Sequence, residues 1–140
     1  MSRLGKMPSW QRWFALSSML ACSLSGTAYL MGHQFSLQKE WLGIHSVLAW
    51  HGITAILATL ALGSVLPFHL KAGLKAKRKM VSGLSQLGFL AILLISGALL
   101  YYGPAETRDE VIITHWIVGL LFFATFIVHG VLAQLKPRPI

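Results

Sequence analysis

The sequence predicts an all-α integral membrane protein, a four-helix bundle with both termini on the cytoplasmic side. Three observations carry that prediction. Hydrophobic residues make up 55% of the 140 and charged ones only 11%, less than half the charged share of a soluble domain. The charges fall outside four uncharged stretches, 13–38, 41–70, 80–105 and 111–135, which together hold 107 residues. Each exceeds the roughly 20 apolar residues that cross a hydrocarbon core of about 30 Å. The period-2 alternation of barrel strands is absent, so helices are the way to satisfy the backbone in lipid. Finally, the basic residues sort by side. A disulfide scaffold is excluded because Cys22 is the sole cysteine, and disorder is excluded by the density of Leu, Ile, Phe and Trp.

The four helices are expected at about 13–33, 41–70, 82–103 and 111–134, in a single transmembrane domain over residues 1–140. In helix 1, Leu20-Ala21-Cys22 faintly resembles a lipoprotein cleavage site, yet the apolar run continues to Leu30 and Met31. A span does this and a signal peptide does not, so helix 1 is expected to be retained, with Cys22 as a small buried apolar residue. Helix 2 carries Pro67 near its end, and helix 4 contains neither proline nor charge.

The connections carry unequal charge. Arg3, Lys6 and Arg12 precede helix 1, Lys71, Lys75, Lys77, Arg78 and Lys79 follow helix 2, and Lys136 and Arg138 follow helix 4. The remaining two cations, Lys39 and Arg108, share the other connections with all four acids, Glu40, Glu106, Asp109 and Glu110. The positive-inside rule places both termini and the middle connection in the cytoplasm. The net charge of +8 is therefore an orientation label and a contact with anionic lipid. No domain is present to carry a nucleic-acid patch.

With no acid inside any stretch, the six histidines are the residues that need explaining, since ionisable groups within a span are costly and mostly functional. His115 and His129 are fourteen apart, 40° short of four turns, and project from nearly one face about 21 Å apart. His51 and His69 are eighteen apart, five turns, and share a face about 27 Å apart. Helices 2 and 4 run the same way, so each offers one imidazole near the outer side and one near the inner side. Two pairs of imidazoles suit two haems, each with its iron held axially. Measured from Lys71 and Lys136, His51 and His115 match in depth, whereas His69 and His129 differ by about 7.5 Å. His45 is the alternative to His51. A faint repeat sets Ser25-Gly26 and Gly32 beside Ser96-Gly97 and Gly103, and on that alignment His45 is the counterpart of His115. Depth and helix face favour His51. His33 and His45, near the interface, fit packing, quinone or proton roles.

Glycines spread through the spans allow close helix approach or leave room for a flat macrocycle, and packing alone accounts for them equally well. Trp10, Trp13, Trp41, Tyr101 and Tyr102 sit where an aromatic belt belongs. A phosphate loop, a Cys-x-x-Cys-His haem attachment and a metalloprotease motif are all absent.

The run His115-Trp116-Ile117-Val118-Gly119 followed by His129 resembles the fourth helix of the bacterial dihaem cytochrome b group. That group includes membrane subunits of formate dehydrogenase and nickel–iron hydrogenase and small quinol-linked cytochromes. The resemblance covers essentially the whole chain. It implies that His115 and His129 each supply one haem ligand and that a helix 2 histidine, His51 or His45, supplies the outer partner. Several members take the inner haem's other ligand from the cytoplasmic end of helix 1, where this chain has Trp10, Gln11, Arg12 and Trp13. Either His69 substitutes there or the chain holds a single haem.

The expected function is that of a b-type cytochrome in the bacterial inner membrane. It would relay electrons between the quinone pool and a periplasmic redox partner, as a subunit of a larger respiratory complex rather than a stand-alone enzyme. Two haems b are expected, with axial ligands His51, His115, His69 and His129, and a quinone is a further candidate ligand. The acidic segment 106–110 is either a dock for a positively charged partner or a solvated loop. Two other functions compete: a haem-free anchor or assembly subunit of a respiratory or photosynthetic complex, and a proton or metal carrier using the histidine rows.

Overall fold

A computed structural model describes residues 8–35, 44–76 and 80–131. Regular structure among these residues is entirely helical. Helix α1 spans Ser9–Phe35, α2 Ile44–Ala76, α3 Met80–Tyr102 and α4 Arg108–Phe126, with a 3-10 turn at Ala105–Thr107 and a π-helical turn at Ile127–Val131 continuing α4. All four are long and apolar enough to cross a membrane. Large apolar side chains are turned outward, as for Ile56 (64% exposed), Leu60 (60%), Ile95 (62%) and Val128 (62%). In water such surface would be unfavourable, and in lipid it carries no penalty.

The chain divides into two helical hairpins, residues 1–78 and 79–140. In the first, α1 packs on α2, and in the second α3 packs on α4. Small and medium side chains fill the seams: Ser18, Met19, Val47, Ala58, Ala61 and Val65 in the first hairpin, and Leu90, Ser96, Phe122 and Phe126 in the second. Phe122 and Phe126, one turn apart, stack at 6.1 Å. Hydroxyls inside the helices donate back to carbonyls one turn earlier, as Thr27 does to Ser23, Thr59 to Ala55 and Ser85 to Val81, each at 2.8 Å. Each such bond meets a donor that would otherwise face hydrocarbon.

Helix ends differ from the sequence expectation, most of all in α1 and α2. α1 begins at Ser9, a turn before the expected 13, and takes in Trp10 and Trp13, both largely exposed. α2 does not stop at Leu70 but runs on to Ala76, so Lys71 and Lys75 are helical rather than part of a loop. Charge marks where a helix leaves hydrocarbon, not where its backbone hydrogen bonds end, and lysine is a good helix former. Pro67 lies inside α2, where it lacks the N–H that the Gly63 carbonyl would accept. Beside that break Gln11 Nε2 donates to the Ser64 carbonyl at 2.8 Å.

The connection between α3 and α4 is built from three local devices. The Gly103 N–H donates to the Leu99 carbonyl at 2.8 Å, and a Cβ on Gly103 would come within 2.5 Å of that same oxygen, so only glycine closes the helix here. The Arg108 guanidinium donates to the Leu100 carbonyl at 3.0 Å, a cation at the negative end of α3. Asp109 and Glu110 occupy the first turn of α4, where carboxylates complement the helix dipole. This segment was expected to be a loop ahead of a helix starting at 111, and its acids turn out to be helical.

Candidate functional site: serine–glycine cradles around three histidines

Three histidines inside the spans meet the same pair of residues on the neighbouring helix. His51 on α2 has Nδ1 3.2 Å from Ser25 Oγ, and a Cβ added to Gly26 would lie 2.8 Å from its Cε1. His115 on α4 has Nδ1 2.8 Å from Ser96 Oγ, with a Gly97 Cβ position 3.6 Å from its Cε1. His129, in the π-helical turn, has Nδ1 2.9 Å from Ser82 Oγ, with a Gly83 Cβ position 3.8 Å from its Cε1. In each case a serine hydroxyl meets one ring nitrogen and the following glycine lets the helix backbone approach the ring edge. All three rings are half-buried.

The periodicity behind this is simple. Ser82 and Ser96 are fourteen residues apart on α3, as His115 and His129 are on α4, so an antiparallel pair in one register matches both at once. The first hairpin repeats the level nearest its connecting loop, with Ser25-Gly26 and His51. At the level where the second hairpin has Ser82-Gly83 and His129, the first has Gln11-Arg12 and Val65. There the Gln11 amide meets the Ser64 carbonyl, and Val65 is buried.

In this arrangement the counterpart of His115 is His51, not the His45 of the linear alignment. The separation is 26 residues from Ser25 to His51 and 19 from Ser96 to His115, so the first hairpin is seven residues longer between these positions, and a gapless alignment stops short of His51. His45 and His69 both lie within α2, and their side chains are outside the described residues. His33 is exposed in the last turn of α1, its ring 6.2 Å from that of Tyr29. Sequence reasoning missed Ser82-Gly83 and the role of all three serines. The signal was present, since the fourteen-residue step of the serines equals that of the histidines.

The hydrogen-bond partners bear on protonation as well as position. A carbonyl can only accept, and His51 Nδ1 lies 3.2 Å from the Cys22 carbonyl, a contact that is a hydrogen bond only when Nδ1 carries a proton. The Ser25 hydroxyl also reaches the Cys22 carbonyl, at 3.0 Å, and the Thr54 hydroxyl, at 3.1 Å. At His115, Ser96 Oγ lies 2.7 Å from the Ile92 carbonyl, a separation at which the hydroxyl proton must sit between the two oxygens. Its oxygen is then placed to accept from His115 Nδ1.

These features fit an axially held haem. Such a group takes single imidazoles through one nitrogen while the other donates to a protein acceptor, and acceptors of that kind stand beside Nδ1 of His51 and His115. The backbone beside His51 is also cut back to the point where a Cβ cannot be added. Among the described residues no group of three or more His, Cys, Asp or Glu side chains converges.

No family model, no curated protein and no solved structure matches this chain. The likeness to the dihaem cytochrome b group rests on the histidine pattern of the sequence.

Proposed function

We propose that this chain is a membrane b-type cytochrome, relaying electrons between the quinone pool and a redox partner on the outer side of the bacterial inner membrane, as a subunit of a larger complex. The observation that supports it best is the threefold recurrence of a histidine held through Nδ1 by a serine, with a glycine beside the ring. The proposed axial ligands are His51, His115 and His129, with His69 as the fourth. When bound, haem supplies a reversible one-electron couple. The chain supplies imidazoles of fixed orientation, and apolar helices that exclude water around them.

A reduced-minus-oxidised spectrum of the purified protein, with a haemochrome stoichiometry, tests this. A b-type band at two haems per chain is expected, one per chain removes the two-haem version, and no band removes the cytochrome. The rival reading, a haem-free anchor in which each hydroxyl only satisfies an imidazole, draws on the same hydrogen bonds and requires the last result.

The orientation proposed, both termini and the Lys71 and Lys75 end of α2 in the cytoplasm, rests on the positive-inside rule. The acids at the start of α4 then face the outer side, where they would favour a partner of positive surface.

A further inference from the structure

At the end of the second hairpin nearest its connection, α3 and α4 bound a cavity of about 240 Å³. Ile92, Ile95 and Leu99 of α3 and Val111 of α4 make most of its wall apolar, and Ser96, Glu110 and Thr114 are its polar members. These three differ. Ser96 is committed, its hydroxyl lying 2.7 Å from the Ile92 carbonyl and 2.8 Å from His115 Nδ1. Thr114 is not. Thr27, Thr54, Thr59 and Thr125 each donate to the carbonyl four residues back, at 2.8 or 2.9 Å, which is how a span meets a hydroxyl in lipid. The Thr114 side chain makes no hydrogen bond to a described residue. The Glu110 carboxylate, on the same face one turn earlier, enters neither a hydrogen bond nor an ion pair with one.

An acceptor and a hydroxyl therefore stand over an apolar recess that opens at the hairpin surface, where Ile92, Ile95 and Leu99 are also exposed. Size limits the occupant. A cavity of about 150 Å³ holds benzene, so 240 Å³ holds one substituted six-membered ring and falls short of the roughly 300 Å³ at which drug-sized sites begin. Polarity limits it further. An acyl chain would fill the recess and leave both polar groups unmet, and a phosphate would stand against the charge of Glu110.

We propose that this cavity binds the headgroup ring of a membrane quinol, with its faces on Ile92, Ile95 and Leu99. One ring hydroxyl donates to the Glu110 carboxylate and accepts from the Thr114 hydroxyl. The choice of a quinol among lipid-borne dihydroxy rings rests on the cytochrome reading; the cavity and its polar pair do not. Ser96 both lines the cavity and meets His115, so a ring there lies one side chain from a proposed haem ligand. The pair also sets a preference. A quinol hydroxyl offers Glu110 a proton, whereas a quinone carbonyl faces it lone pair to lone pair, so quinol binds about tenfold or more tightly.

The test uses the full-length chain in lipid nanodiscs and a short-tailed benzoquinone bearing a photoreactive azide. Illumination and peptide mass spectrometry locate the adduct. Anaerobic displacement by excess short-tailed quinol or quinone, each in large excess over protein so that its redox state holds, gives their relative affinities. Saturable labelling within 92–99 or 110–114 is expected, displaced about tenfold better by quinol. Glu110→Gln should keep the labelling and abolish the preference, and Thr114→Val should weaken both forms by about 2–10-fold. Label elsewhere, labelling that does not saturate, equal displacement in the wild type, or a preference that survives Glu110→Gln overturns the proposal. Labelling needs no haem and is repeated on protein prepared without it. An adduct in the cavity of a protein that shows no b-type band refutes the cytochrome and leaves the ring site standing. A b-type band without that adduct refutes the site and leaves the cytochrome.

Discussion

Replacing Gly26 by alanine puts one methyl group into the tightest contact of the first cradle. The new Cβ would stand 2.8 Å from His51 Cε1, where 3.4 Å is the lower edge of ordinary contact. The ring or the helix must therefore give by about 0.6 Å, the difference of those two distances. The two acceptors of His51 Nδ1 are each 3.2 Å away, so a displacement of that size takes both beyond hydrogen-bonding range. Overpacking costs about 1–3 kcal/mol, two weakened hydrogen bonds add about 1 kcal/mol each, and alanine returns about 1 kcal/mol of helix propensity over glycine. The net is a loss of about 2–4 kcal/mol. Gly97→Ala is the internal control, because its Cβ would meet His115 Cε1 at 3.6 Å, an ordinary contact, and it is expected to be neutral or slightly stabilising. Unfolding in detergent, followed by far-ultraviolet circular dichroism with haem retention read on the same samples, measures both. If Gly26→Ala is as stable as Gly97→Ala and retains haem equally, the close approach of α1 to His51 does not exist and the geometry of the first cradle is wrong.

Other expectations follow from the same structure. His51→Ala and His115→Ala are each expected to lose about half of the b-type absorbance, the share of one of two haems, whereas His45→Ala keeps it; loss only in His45→Ala would restore the linear alignment of the repeats. Gln11→Leu removes the donor to the Ser64 carbonyl beside Pro67 and should lower stability by about 0.5–1.5 kcal/mol, visible as a lower denaturation midpoint without loss of haem; an unchanged midpoint would show that this bond contributes nothing. In a Cys22→Ala background, Thr107→Cys should react with a membrane-impermeant maleimide in intact spheroplasts and Lys75→Cys only after lysis. The reverse pattern would invert the topology.

The helical class and the number of spans were legible in the sequence because both follow from composition, and charge is absent from four stretches each long enough to span. Helix ends were less legible: Lys71 and Lys75 mark the limit of hydrocarbon, but backbone hydrogen bonding carries α2 on to Ala76. The site was half legible. Spacing singled out His115 and His129, and depth singled out His51, yet the serines that meet all three came into view only with the register of each hairpin. Serine is common in membrane helices, so Ser82 carries no signal until Ser96 and the two histidines are seen to share its step. The match of Ser25 with His51 was hidden by the seven extra residues between them, since a loop changes spacing along the chain without changing which residues face each other.

α2 is the longest helix, at 33 residues, or about 50 Å at 1.5 Å per residue, against a hydrocarbon core of about 30 Å. Some 20 Å must be absorbed by tilt or carried beyond the core. Because Lys71 and Lys75 belong to that same helix, their charges ride on helical turns rather than on a loop, and a change in tilt would move them toward or away from the headgroups. Anionic lipid attracts each such cation by about 1 kcal/mol near the surface. In the orientation proposed above, the lipid composition of the leaflet would act on the inclination of the end of α2 beyond Pro67, the break that separates these lysines from the turn carrying His51.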